Sequence, residues 1–154
     1  MDNQQCADLG LLALTIWREA RGESYVGKVA VANCVMNRVL RPCWWGDDLW
    51  SVLTKRYQFS SITDPKDSQL TLYPNKKHPD WESWEACLEV AEFAVKGSLW
   101  IEVPGADSYF DESIPAPYWT KTARLVEKIG RLYFYDVDHD YEREVLSGQN
   151  VLAG

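Results

Sequence analysis

The chain has 154 residues, 46% hydrophobic and 25% charged, close to the averages of soluble globular proteins, which excludes a disordered tail or a collagen-like repeat and fits one domain with its own core. Sixteen basic against twenty-three acidic residues give a net charge of −7, with no stripe of Lys and Arg to track phosphates, so nucleic acid is not an expected partner. The uncharged run 9–17 is about half of a bilayer span and no basic leader precedes it, so neither membrane insertion nor a secretory signal is expected.

In the segment 8–21, Leu9, Leu12, Ile16 and Ala20 recur at spacings of three and four behind Asp8 as N-cap, and Gly22 stops the run; this predicts a helix. Residues 27–40 are apolar on several sides of the wheel and end before Pro42, which predicts a central, buried helix. Within it Asn33 and Asn37 share a face and, if buried, need hydrogen-bond partners; they are expected to brace a site from behind. Cys34 reads as a small buried hydrophobe. The Cys residues at 6, 34, 43 and 87 contain no C-x-x-C pair, and His78 and His139 are the only histidines, so no metal or cofactor is expected. Cys6 and Cys43 are the pair that an oxidising compartment would join.

The stretch 43–77 mixes Trp44, Trp45, Trp50, Tyr57 and Phe59 with Gly, Asp, Ser and Pro, which suits loops and short turns over a cleft. A third helix is predicted over 79–96, with Trp81, Trp84, Cys87, Leu88, Ala91 and Val95 opposite Glu82, Glu85, Glu89 and Glu92. Short strands are expected around the Pro104-Gly105 turn within 99–109, a fourth helix over 117–130, a strand over 132–137 and a loose tail over 141–154. Asp136, Asp138 and Asp140 alternate as in a calcium loop, but Tyr141 and Ser147 stand where Gly and Glu are required, so a solvated acidic turn is expected. Eight Trp and eight Tyr exceed what packing alone needs, and some should face a ligand. The expected architecture is one α+β domain over 1–154, predominantly helical.

At about 100° per residue Glu19 lies about 20° from Leu12 and about 60° from Ile16, on the border of the apolar stripe. A carboxyl there loses hydration when ionised, holds its proton toward neutral pH and can act as a general acid. Pairing with a nearby Arg at the helix end is the bland alternative, and the wheel alone leaves both open.

The residues Thr15-Ile-Trp-Arg-Glu-Ala-Arg-Gly-Glu23, Gly27-Lys-Val-Ala-Val-Ala-Asn33 and Asn37-Arg38-Val39 closely resemble the cell-wall hydrolase family typified by the spore-cortex-lytic enzyme SleB. Gln58-Phe59-Ser60, Ala106-Asp-Ser-Tyr-Phe110, Pro117-Tyr-Trp119, Ile129-Gly130 and Phe134-Tyr135 extend the resemblance over about 9–135. It implies a lysozyme-like fold with a small antiparallel sheet and a groove for the glycan strand of peptidoglycan. It also implies that Glu19, the first Glu of E-A-R-G-E, is the catalytic acid. Phe110 and Arg131-Leu132 stand where many relatives carry His, so no role of those His is carried over.

The resemblance favours a lytic transglycosylase, cutting between N-acetylmuramic acid and N-acetylglucosamine with one catalytic Glu. A hydrolytic muramidase would need a second carboxylate, for which Glu23, Asp107 and Asp111 offer only weak positions. Gln58, Phe59, Ser60, Tyr109 and Trp119 are the expected substrate-binding residues, with the aromatics stacking on sugar rings. Trp44, Trp45, Trp81 and Trp84 read as packing or rim. A noncatalytic carbohydrate-binding module and a cysteine peptidase are the competing classes, the latter disfavoured because no Cys opens a helix beside a Gly-rich turn. The expected setting is a monomeric phage endolysin that accumulates in the cytoplasm and reaches the wall through a membrane-permeabilising partner.

Overall fold

Asp2 accepts from the Gln5 backbone N–H at 2.8 Å while its own N–H donates to the Gln5 side chain at 3.0 Å. This capping box starts helix α1 (Asn3–Ala20) earlier than the sequence pattern suggests. Asp8, expected as the cap, lies inside the helix and accepts from Gln4 at 2.8 Å. The computed structural model describes residues 1–55 and 58–137. Ser24 caps helix α2 (Tyr25–Leu40), in which every residue from Gly27 to Val35 is buried, as an apolar pattern on all sides requires.

After α2 come the short helices α3 (Leu49–Thr54) and α4 (Ser60–Thr63), a 3-10 turn at Ser68–Thr71 and the longer helix α5 (Ser83–Val95). Helix α1 packs against α5, α2 and α3, and α2 against α3 and α5. Leu12, Ile16, Trp17, Val29, Val31, Val35 and Val90 fill the space between them with no exposure. Burying each of these side chains contributes roughly 1.5–3 kcal/mol. Cys34 and Cys87 are buried free thiols, and Cys6 is an exposed one.

A three-stranded antiparallel sheet closes one end, in the order β1 (Ser108–Asp111), β3 (Leu132–Asp136), β2 (Arg124–Ile129). In β3 the inward residues are Leu132, Phe134 and Asp136, the period-two alternation of a strand with one covered face.

Two sequence expectations fail here for local reasons. Residues 117–130 are a 3-10 turn, Tyr118–Lys121, and a strand, not a fourth helix. A register shift between Leu125 and Glu127 leaves Val126 as an extra residue, and the bulge makes Val126 and Ile129 the less exposed positions. That spacing of three imitates a helix face. Within 99–109 the only strand residues are those of β1. The backbone before it is bound elsewhere: Asn33 Nδ2 donates to Trp100 O (2.9 Å), Asn33 Oδ1 accepts from Glu102 N (2.8 Å), and Asn37 Nδ2 donates to Ala106 O (2.7 Å). With its polar groups taken by α2 side chains, this segment has no need of a ladder.

Among the described residues no helix is long and apolar enough to cross a membrane. Asp136 is not a solvated turn residue: it is buried and pairs with Arg124 at 3.1 Å and Arg41 at 3.6 Å. Asp138, Asp140, Tyr57 and the tail 141–154 lie outside the described residues.

Candidate active site

Glu19 sits in the last turn of α1 and faces a groove of about 700 Å³ lined also by Arg38, Trp44, Gln58, Phe59, Ser60, Tyr109 and Trp119. All the site residues expected from the sequence therefore come together on one surface. Among the described lining residues Glu19 is the one carboxylate. Burial raises its carboxyl to about 7; the Tyr109 hydroxyl opposes the shift and Asp67 adds to it. The helix terminus acts in the same direction as burial, because carbonyl ends disfavour an anion. At neutral pH a large share of the group therefore carries its proton.

The charged residues around Glu19 are scaffolding. Arg18 donates to the carbonyls of Ser61, Leu70 and Leu72, each at 2.9 Å, and so ties the loop after α4 to the helix that carries Glu19. Arg21 pairs with Asp80 at 3.0 Å and lies over the Trp17 ring at 4.7 Å. The buried Lys28 donates to the carbonyls of Arg21 and Glu23, closing the C-terminal end of α1. Glu23 neither lines the groove nor caps a helix: its carboxylate accepts from Arg131 N at 3.3 Å, in the turn between β2 and β3. Gly130, at φ +58°, needs glycine for its left-handed backbone, and a Cβ there would push the tip of the Glu23 carboxylate aside.

Tyr109 lies beside the acid instead of standing open on the rim. Its ring packs on Phe134 at 5.7 Å, and its buried hydroxyl, without a partner in hydrogen-bonding geometry among the described residues, is near enough to Glu19 to oppose the rise of that carboxyl. A phenol so placed can donate to the carboxylate once Glu19 has given up its proton. Phe59, at 2% exposure, forms the floor, with the Arg38 guanidinium 5.2 Å from its ring. Trp119 stands edge-on to Tyr135 at 5.4 Å and to Phe110 at 6.1 Å, and Phe110 stacks on Tyr133 at 5.0 Å. Trp45 is core and Trp44 rim, at 2% and 44% exposure.

The other acidic residues weighed from the sequence stand apart. Asp107 is buried behind the groove, accepting from Val137 N at 3.0 Å and Ser108 Oγ at 2.9 Å. Asp111 pairs with Arg131 at 3.3 Å and caps the next turn through Ser113 N. Sequence reasoning assigned no role to Arg38 or Asp67. Arg38 is, with Lys28, one of two buried cations in a largely apolar helix, a signal that was there to be used; Asp67 is brought to the site only by the fold.

The family described as Cell Wall Hydrolase matches residues 22–135. The match opens just after Glu19, so the case for that residue stands on the groove itself. Spore cortex-lytic enzymes of Oceanobacillus iheyensis and Halalkalibacterium halodurans are 32% and 30% identical to the chain over 127 and 129 residues, 82% of it in each case. The chain spans 41% and 34% of those relatives' lengths. The catalytic domain of Bacillus cereus SleB superposes with a TM-score of 0.65 at 27% identity, over 88% of this chain and 92% of that one. The catalytic domain of the germination-specific lytic transglycosylase SleB from Bacillus anthracis gives 0.64 at 26% identity, over 87% and 96%. The family match over most of the chain and the likeness of the helical body and small antiparallel sheet agree, and the chain belongs to the cell wall hydrolase family.

Proposed function

We propose that this domain cleaves the glycan strand of peptidoglycan between N-acetylmuramic acid and N-acetylglucosamine, as a lytic transglycosylase with Glu19 as its single catalytic carboxyl. The observation that carries the reading is geometric: Glu19 is the one carboxylate among the described residues that line an aromatic groove, where burial raises its carboxyl to about 7. The likeness to the germination-specific lytic transglycosylase of Bacillus anthracis supports it.

In this mechanism the neutral Glu19 gives its proton to the leaving glycosidic oxygen as the bond to the anomeric carbon breaks. The muramyl 6-hydroxyl oxygen then bonds to that carbon and returns its proton to the Glu19 carboxylate. No water is consumed, the product ends in a 1,6-anhydro ring, and Glu19 finishes as it began. Tyr109 steadies the carboxylate between the two transfers.

Mass spectrometry of digested peptidoglycan tests this. The expected terminal fragments are one water lighter than reducing ends and disappear in Glu19→Gln. Reducing ends would instead assign hydrolysis. Binding without any release by the unaltered chain would assign a glycan-binding module. We take the unit to be a monomer, since one chain supplies the described groove, and its place of action to be the cell wall. Delivery as a phage endolysin predicts lysis only on co-expression with a membrane-permeabilising protein.

A further inference from the structure

Two polar side chains on the groove wall have their hydrogen-bond polarity set by residues behind them. Ser60 Oγ donates to Asp67 Oδ2 at 2.6 Å, and Asp67 Oδ1 accepts from Gln69 N at 2.8 Å as the cap of the 3-10 turn. An ionised carboxylate only accepts, so the Ser60 hydrogen is committed to Asp67 and its lone pairs are what remain for the groove. Gln58 is the converse. Its Oε1 accepts from Arg38 Nη1 at 2.8 Å, and a guanidinium only donates, so the amide is held one way round with its NH2 left over.

Phe59 stands between them with an extended backbone, φ −116° and ψ 92°, and a buried ring. Its ring is the groove floor, and both Gln58 and Ser60 line the groove beside it. The setting residues are themselves held. Arg38 Nε donates to Asp107 O at 2.7 Å, and the loop carrying Asp67 is tied down by Arg18 through Ser61, Leu70 and Leu72.

We infer that Asp67 and Arg38 are positioning residues that make Ser60 an obligate acceptor and Gln58 an obligate donor, and that this pair reads the 2-acetamido group of a bound sugar. An acetamido group offers an N–H to the acceptor and a carbonyl to the donor, pointing in opposite directions. A 2-hydroxyl has one hydrogen and one small oxygen, and leaves one of the two protein groups without its partner. The inference rests on the glycan-cleaving reading of the groove.

The test measures binding in a Glu19→Gln background, where oligosaccharides are not consumed, using an N-acetylglucosamine oligomer and a cello-oligosaccharide of equal length, both uncharged. The expected preference for the acetylated oligomer is about tenfold, the size of one or two uncompensated hydrogen bonds. In Asp67→Asn the amide oxygen keeps the cap on Gln69, while the amide nitrogen donates to Ser60 and turns its hydroxyl hydrogen toward the groove. The preference is expected to fall to about threefold or less, with the thermal midpoint unchanged because Asn caps as well as Asp. Ser60→Ala, at an exposed position, is expected to lose the preference as well. The double variant is expected to lose no more than Ser60→Ala alone, because Asp67 acts through Ser60. Equal binding of the two oligomers by the parent, retention of its preference in Asp67→Asn, or losses that add in the double variant would overturn the inference. Since the readout is binding, a failure of the unaltered chain to cleave peptidoglycan would overturn the proposed reaction and leave this measurement intact.

Discussion

The two walls of the groove are built differently. Behind the helical wall Arg18, Glu23, Lys28, Asn33 and Asn37 each hydrogen-bond a backbone group of another segment or helix end, and Arg21 pairs with Asp80, so the acid they surround has a fixed position. The facing wall, from β1 through the 3-10 turn, is held by ring-on-ring contacts and opens to solvent, with Tyr118 at 85% and Ile114 at 50% exposure. Proton transfer needs its donor within hydrogen-bond reach of one oxygen, whereas an aromatic face in contact with a sugar tolerates sliding. Polar ties therefore gather where chemistry is done, and apolar contacts where a polymer must move.

The comparison breaks most sharply at Glu19. Glu19→Gln is expected to lower peptidoglycan release about 10³-fold while leaving the circular dichroism spectrum and thermal unfolding cooperative; retained lysis would remove the helical wall from the chemistry. In the turn between β2 and β3, Gly130→Ala places a β-carbon on a residue at left-handed φ and pushes the tip of the Glu23 side chain aside, with an expected loss of about 1–2 kcal/mol in denaturant unfolding. Adding Glu23→Ala should recover little of that loss, since the strained φ remains.

The third effect depends on pH. The Glu19 carboxyl titrates near 7 in the folded chain, well above its unfolded value, so between those values the native state binds more protons than the unfolded one. Stability is then expected to fall as pH rises through that window. Relative to the unaltered chain, Glu19→Gln should gain about 3 kcal/mol at pH 8 and almost nothing at pH 4, as read from denaturation midpoints at the two values. The smallest effect belongs to the open wall. Tyr118→Ala is expected to raise KM about threefold with kcat and stability unchanged, and a matching fall in kcat would show that this wall also positions the reacting bond.

Much of the helical wall is legible in the sequence, because the spacing of Leu12, Ile16 and Ala20 and the polar Asn33 and Asn37 each imply a direction. The sheet is less so. Its bulged strand carries a helix-like spacing at Val126 and Ile129, and the segment before β1 spends its hydrogen bonds on α2. Neither pairing leaves a mark in local periodicity. Within the site, E-A-R-G-E points to Glu19 but says nothing of which neighbours shift its pKa up or down. Asp67 and Tyr109 come to it from far along the chain, through the Arg18 fork and the register of Tyr109 with Phe134.

The most direct measurement is a titration of the Glu19 side chain itself, followed by the carboxyl carbon resonance of glutamate-labelled protein and assigned by its absence in Glu19→Gln. The expected midpoint is about 7, with a further rise in Tyr109→Phe as the phenol's stabilisation of the carboxylate is lost. A midpoint in the ordinary range of an exposed glutamate would contradict a proton held by burial, and with it the assignment of Glu19 as the general acid.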